Sequence, residues 1–418
     1  MPDSTGTSMP AITCWSRSSE CSGRFDASIS RSRPISGWCL VHIASMQNTP
    51  ASSACHSRRS SPRSGTTGRP KGAVITLGNI FASTKALRRT FATTADDRIG
   101  TALPLFHVYG QVAVLAGALD AGASVSVLRP FSGETALRLV EEHQLTVLCG
   151  VPTMWIEMIE SARNLDPLPD ITTLRHAASG GAALPLEANR AFHALFGASV
   201  VDGYGLSETT ATATCHRLGH EPREGSVGQA LPDVEISIVG RDGRSLPVGE
   251  VGEVTVAGKN VMPGYWGRPE ATADSLVDGR LLTGDLGRLD EDGYLWIVGR
   301  KKEMVIRGGY NVYPREIEEV LYEHPAVLEA AVIGLPDERL GEEVAAVVAF
   351  KGGMSATPTE LRAWLDERVA AYKVPRVFQI VDTLPKGPTG KVQKIAIDRD
   401  TLVRVGTRTR RGRPTPTL

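Results

Sequence analysis

The densest run of chemistry-bearing residues is Ser64-Gly65-Thr66-Thr67-Gly68-Arg69-Pro70-Lys71-Gly72. Closely spaced glycines make a mobile loop whose N–H and hydroxyl groups suit the wrapping of phosphate oxygens. Lys71 supplies compensating charge. The loop is not of the Walker A type, which needs glycine directly before the lysine and a hydroxyl after it, where this chain has Pro70 and Gly72. Taken alone, the run also reads as a plain Gly/Ser/Thr turn. Glu208, in Tyr204-Gly205-Leu206-Ser207-Glu208-Thr209, follows a glycine-containing turn and offers a hard oxygen ligand for Mg²⁺. The hydroxyls of Thr209 and Thr67 suit phosphate oxygens. The alternative there is a helix cap at Ser207 with Glu208 in the first turn.

Other candidates have the same double reading. Asp285 sits between Gly284 and an apolar turn, where a carboxylate accepts both hydroxyls of a ribose and Arg300 reinforces the contact; alone, it reads as a turn residue. Ser179-Gly180-Gly181-Ala182-Ala183 offers small side chains, at Gly181 and Ala182 above all, for close approach of a flat adenine or acyl group, or else a helix-entry turn. Lys391 lies in the Gly-bounded loop KGPTGKVQK, where a long cation reaches into a site, although Lys386 and Lys394 nearby show how common a solvated lysine is. Gly308-Gly309 presents backbone without side chains, as a narrow thiol-bearing chain requires, or a tight turn before Pro314. Around His107, the apolar Leu103, Phe106, Tyr109, Val151 and Trp155 favour a fatty or aryl group, against a core aromatic cluster. No Asp stands in the Leu103–Gly110 stretch to hold an α-amino group, and His176, His193, His216 and His220 have no metal-ligand spacing.

The elements that must position these residues follow from composition and pattern. The chain has 418 residues, with 46 Lys+Arg against 46 Asp+Glu, so no net charge argues for nucleic acid or an anionic membrane as partner. No run of about 18 apolar residues spans a bilayer. Four of the six Cys fall before residue 64, in a stretch without Lys or sustained periodicity; residues 1–63 are expected to be a disordered segment. The two remaining Cys fit a reducing cytoplasm. From Ser64, strand-like runs at 123–128, 145–149 and 199–201 alternate with helical spacing near Phe81–Phe91, Gln111–Leu119 and Thr135–His143, which argues for α/β layers with a largely parallel sheet. Strands at 234–239, 251–256 and 294–298, joined by Gly/Asp/Pro turns, read as an antiparallel β region. An α+β module follows, with helices opening at Pro314 and at Thr357-Pro358 and strands at 327–333, 343–350 and 376–381. The expected domains are 64–302 and 303–400, with a disordered basic tail over 401–418.

In order along residues 64–398, these blocks resemble the adenylate-forming superfamily of acyl-CoA synthetases, luciferases and adenylation domains, whose phosphate loop has the form S-G-T-T-G-x-P-K-G. Tyr204–Glu208 is similar to the family's Y-G-x-[S/T]-E block, Thr283–Asp285 to its T-G-D, Gly299–Lys302 to its hinge, and Pro388–Lys391 to its C-terminal lysine motif. The resemblance implies a large N-terminal α/β domain, partly missing here, followed by a small mobile α+β C-terminal domain. It implies an ATP- and Mg²⁺-dependent acyl-CoA ligase that makes an acyl-adenylate from a carboxylic acid, most like the enzymes acting on fatty acids, and passes the acyl group to CoA. By the same resemblance Lys391 contacts the carboxylate and α-phosphate, Lys302 is the hinge, His107 gates the acyl pocket and Gly308-Gly309 lines a pantetheine tunnel. The chain departs from the family in its first 63 residues, where a folded subdomain belongs, and in Thr76-Leu77-Gly78-Asn79, where relatives have T-H-x-N. Two alternatives therefore stand beside the ligase: an adenylating enzyme that loads a carrier protein, and an inactive, N-terminally truncated fragment. The expected location is the cytoplasm, and a homodimer is left open.

Overall fold

Short β-branched runs, each followed by an amphipathic segment, build a parallel sheet with helices on both faces. The computed structural model describes residues 71–217, 220, 222–387, 391–399 and 402, with backbone strands at Thr13–Trp15, Val41–Ala44 and Val403–Arg404. The disorder expected over 1–63 and 401–418 falls outside the described residues, those short strands apart. The chain divides into two units, Met1–Ile297 with Gly387–Lys391, and Val298–Lys386 with Val392–Leu418. Among the described residues, no helix is long and apolar enough to cross a membrane.

In the first unit the strands β1 (Arg98–Thr101), β2 (Ser124–Leu128), β3 (Val147–Gly150), β4 (His176–Ser179) and β5 (Val200–Tyr204) run parallel in the order β2-β1-β3-β4-β5. The chain steps from β1 to β2 in one direction and from β3 to β5 in the other. The connections therefore part between β1 and β3, and a crevice opens there at the carboxyl ends. Helices α2 (Gly133–His143), α3 (Pro152–Ala162) and α4 (Leu186–Phe196) cover one face through Leu137, Val140, Trp155, Met158 and Phe192. Trp155 meets Phe192 edge to face, with ring centroids 5.4 Å apart, a geometry worth about 0.5–1.5 kcal/mol beyond the area buried.

On the opposite face, the segment expected as one α-helix over Gln111–Leu119 is instead a π-helix, Tyr109–Ala116, followed by a short α-helix, Gly117–Ala121. Such wide turns recur at functional sites. α1 (Leu77–Phe91) begins earlier than its periodicity suggests because Thr76 caps it, accepting from the Asn79 N–H at 3.1 Å. The Asn79 amide also donates to the carbonyls of Lys259 and Val261, fixing the helix to a distant segment.

The antiparallel region consists of β6 (Val234–Val239), β7 (Gly252–Gly258), β8 (Arg280–Leu289) and β9 (Leu295–Arg300). Asp285, expected beside a turn, lies inside β8. The register slips between Glu253 and Thr255 of β7, and Gly284 adopts φ 74°, so the local break is a bulge within a strand.

The second unit pairs the hairpin β10 (Val305–Arg307) and β11 (Tyr310–Val312) with the long strands β12 (Val327–Asp337) and β13 (Gly341–Phe350) and with β14 (Val377–Val381). Val344 to Ala349 is buried throughout, as befits a strand covered on both faces. α5 (Pro314–Tyr322) seats Ile317 and Leu321 in this core, and α6 (Pro358–Asp366) seats Leu361 and Leu365 under a Thr357/Glu360 capping box.

His176, at the start of β4, lies 4.3 Å from the Phe91 ring, and its Nε2 has no hydrogen-bond partner among the described residues. Burial, with the charge of Arg175 and then His216, pushes its pKa from 6.5 down to about 4. Below pH 6.5 the unfolded chain binds a proton here that the native state refuses, so stability falls as pH drops from 6.5 towards 4, by up to about 3 kcal/mol. Urea unfolding of His176→Leu should show a shallower loss between pH 7 and pH 5 than the native chain; equal slopes would refute this assignment.

Candidate active site

Parallel strands deliver their following loops to one edge. Residues 102–107, 151–154, 179–183 and 205–211 leave the carboxyl ends of β1, β3, β4 and β5, so four separate candidate segments converge on the edge where the connections part. Gly181 adopts φ 82°, and a side chain on Gly180 would stand 3.1 Å from the Tyr109 ring. The Tyr109 hydroxyl donates to the Ala178 carbonyl at 3.2 Å, which holds the ring against this small-residue turn.

The turn after β5 is the most constrained part of the site. Ser207–Thr209 forms one 3₁₀ turn, and both Thr210 (φ 52°) and Ala211 (φ 85°) then take left-handed conformations. For a β-branched residue that is an outlier that surrounding contacts must hold in place. They are present: the Thr210 hydroxyl donates to the Asn260 carbonyl at 2.6 Å, Ser83 donates to the Thr210 carbonyl, and the Asn260 amide donates to the Thr209 and Thr212 carbonyls. Gly205 is required here, since a Cβ would stand 2.0 Å from the Ala211 carbonyl oxygen.

This geometry presents Glu208 half-buried, its Oε1 accepting from the Tyr265 hydroxyl at 2.7 Å. Burial and the neighbouring Glu208 raise the Tyr265 phenol well above its ordinary value, so it remains a donor. The Thr209 hydroxyl, expected at phosphate, is fully buried and engaged with Leu206 N–H and C=O, so in this structure it serves the turn. Among the described residues no three His, Cys, Asp or Glu side chains gather as a metal cage. A single presented carboxylate fits Mg²⁺, which is held by one or two carboxylates together with the phosphates it accompanies.

Asp285 is 3% exposed, and the Tyr204 hydroxyl donates to its Oδ2 at 2.7 Å. Two candidates from separate sequence blocks are thereby joined, through a residue at the mouth of the β5 turn. The bulge is fixed by Thr283, whose hydroxyl donates to the Val254 carbonyl and accepts from the Asp285 N–H, and by the Glu253 carboxylate on the Gly284 N–H.

His107 Nδ1 accepts from the Tyr109 N–H at 3.2 Å. Burial, then the Lys391 charge, lowers its pKa below 6.5 and favours the neutral imidazole. At the ends of β1 and β3 a small void within the apolar core is lined by Leu128, Phe131, Leu139, Met154, Trp155 and Met158, with Thr101 and Cys149 as its polar margin. Of the apolar residues named around His107, Trp155 is buried in the core against Phe192, as the core reading has it, and Phe106 is exposed.

The remaining candidates stand as follows. Ser64, Gly65, Thr66, Thr67 and Gly68 lie outside the described residues, while Lys71 places its ammonium 4.9 Å from the Tyr265 ring centroid. Gly308 and Gly309 form the two-residue turn between β10 and β11, both with positive φ (57° and 86°), as a primed hairpin turn demands. Arg300 ends β9 and Lys302 lies in the turn that follows. Sequence reading missed Ser83, Asn260 and Tyr265; their partners are 50 or more residues away, and no local pattern marks them.

Two family descriptions match the chain: AMP-binding enzyme over residues 64–266, and AMP-binding enzyme C-terminal domain over residues 316–391. The fold and these matches place the chain in the adenylate-forming superfamily. The chain belongs to the AMP-binding enzyme family, with an α/β first domain and a C-terminal domain. It is 38% identical over 331 residues to the long-chain-fatty-acid–CoA ligase of Bacillus subtilis, matching 78% of this chain and 59% of that enzyme. It is 39% identical to a feruloyl-CoA synthase of an Amycolatopsis species, matching 80% of this chain and 68% of the relative. The crystal structure of ATP-bound MatB from Rhodopseudomonas palustris superposes with TM-score 0.74 at 37% identity, over 79% of this chain and 65% of that one. The chain thus spans less than two thirds of the length of several curated relatives it matches.

Tyr204→Phe removes one donor from a buried carboxylate. It should lower stability by about 1–3 kcal/mol in chemical unfolding, and a change within experimental error would show that this bond carries nothing.

Proposed function

We propose that the protein is an ATP-dependent acid–CoA ligase. A carboxylate oxygen of the acid attacks the α-phosphorus of ATP and pyrophosphate leaves. The CoA thiol sulfur then attacks the acyl carbon, AMP leaves, and the thiol proton passes to solvent. The observation that carries this reading is the turn after β5, which presents Glu208 at the carboxyl edge and reaches the buried Asp285 through Tyr204. Glu208 would hold Mg²⁺, which neutralises phosphate charge when bound. Asp285, with Arg300, would take the ribose hydroxyls, and Gly181 and Ala182 would let the adenine lie against backbone. The phosphate loop, Ser64 to Gly68 with Lys71, would wrap the phosphates, and Lys391 would steady the carboxylate and the α-phosphate. Catalysis would be electrostatic and positional, with no covalent enzyme intermediate. Lys302 would be the hinge and Gly308-Gly309 the wall of the thiol channel between the two steps.

The acid proposed is one with an apolar body, fatty or aryl. The sequence neighbours of His107, namely Leu103, Phe106, Val108 and Tyr109, include no charged side chain and support this choice. Long-chain fatty acids and ferulate, the acids in the names of the relatives above, both meet that description. A neutral chain with no candidate membrane span among its described residues accords with a place in the cytoplasm.

Acid-dependent ATP–pyrophosphate exchange by the purified chain tests the reading. Octanoate and cinnamate should support exchange at least about tenfold better than acetate, the margin that several buried methylenes supply. Adding CoA should then yield thioester, and Lys391→Ala should reduce exchange by on the order of a hundredfold. Exchange without thioester would replace CoA with another acceptor, such as a carrier-protein thiol. No exchange with any acid would refute the ligase reading for this chain.

A further inference from the structure

The phenol of Tyr265 joins two candidate groups that lie far apart in the sequence. Its hydroxyl donates to Glu208 Oε1 at 2.7 Å, and the Lys71 ammonium lies over its ring, 4.9 Å from the centroid. The edge of one ring thus serves the carboxylate and its face serves the cation. The backbone of Tyr265 is fixed as well. It bridges Ala73 in the strand Gly72–Ile75, its N–H donates to the Thr272 hydroxyl at 2.9 Å, and the adjoining Trp266 N–H donates to the Gly72 carbonyl at 2.8 Å. On the other side, the Met262 N–H donates to the Glu208 carbonyl at 2.8 Å. The 262–266 segment therefore ties the strand that follows the phosphate loop to the turn that carries Glu208.

We propose that Tyr265 is a positioning residue for the nucleotide-bound metal: it engages Glu208 Oε1, turns the other carboxylate oxygen to the ion, and holds Lys71 in register with it. The inference rests on the reading of Glu208 and Lys71 as nucleotide-binding residues. Packing alone does not account for a half-buried phenol that spends its proton on a carboxylate otherwise able to rotate. A structural tyrosine and a metal-positioning one also differ in consequence. The first affects every ligand alike, whereas the second affects only ligands whose binding runs through the metal.

The test uses the full chain and Tyr265→Phe, which keeps the ring under Lys71 and removes only the hydroxyl. ATP binding is titrated calorimetrically at stepped Mg²⁺ concentrations, and AMP binding is measured without metal. The half-saturating Mg²⁺ concentration for ATP should rise about tenfold, the change expected when a hydrogen bond to a charged group is lost, while AMP affinity stays within about twofold. In a Glu208→Gln background, Tyr265→Phe should raise the Mg²⁺ requirement no further, because the two act through one another. An unchanged requirement, effects that add in the double variant, or a parallel loss of AMP affinity would each overturn the proposal while leaving the ligase reading in place. A native chain that binds neither ATP nor AMP would overturn both.

Discussion

A parallel sheet imposes one constraint from which the site follows: all its strands end at the same edge. Loops after β1, β3, β4 and β5 therefore converge although their sequences are far apart, and the reversal of chain direction between β1 and β3 opens room among them. His107, Gly181 and Glu208 stand in three of those loops. Asp285 comes from a different, antiparallel sheet and is brought to the same edge by its bond to Tyr204, the last residue of β5. A phenol performs this connection because its ring packs among apolar residues while its hydroxyl satisfies a buried carboxylate.

The left-handed pair Thr210-Ala211 is the cost of presenting Glu208 in this way. Two non-glycine residues in that region cost on the order of a few kcal/mol together, and four hydrogen bonds from Ser83, Thr210 and Asn260 oppose it. None of these donors is positioned to meet a ligand in the reading above. Their work is to deny the turn its relaxed form, so that the carboxylate is already placed before any nucleotide arrives, when reorganisation would be costly.

Much of this was legible in the sequence. The alternation of strand and helix runs gave the parallel layers, and Pro314 and Thr357-Pro358 marked helix starts because capping chemistry is local. Gly205 and the Gly308-Gly309 pair announced tight backbone because glycine alone enters such geometry without strain. Asp285 was identified as a residue but misplaced in its element, since Gly284 signals a break and cannot by itself distinguish a turn from a bulge. The π-helix at Tyr109–Ala116 escaped for a similar reason, as apolar spacing over eight residues does not resolve one helical pitch from another. Tyr265 and Asn260 were invisible because their roles exist only between elements.

In the function proposed above, an apolar acid and the charged phosphates would place different demands on one edge. Glu208 stands in the turn after β5 and Asp285 is bonded to Tyr204 at the end of β5, while Tyr109 packs against Gly180 after β4. Charge chemistry needs preorganised polar groups, and any such group left unpaired beside an apolar ligand would cost about 1–3 kcal/mol. Tyr109 removes that conflict by directing its own hydroxyl to the Ala178 carbonyl and turning its ring to the small residues. Selectivity for the acid proposed above then rests on shape and apolar area, which separate near neighbours by only about 1–3 kcal/mol per methylene but exclude an acid with a second charge far more strongly.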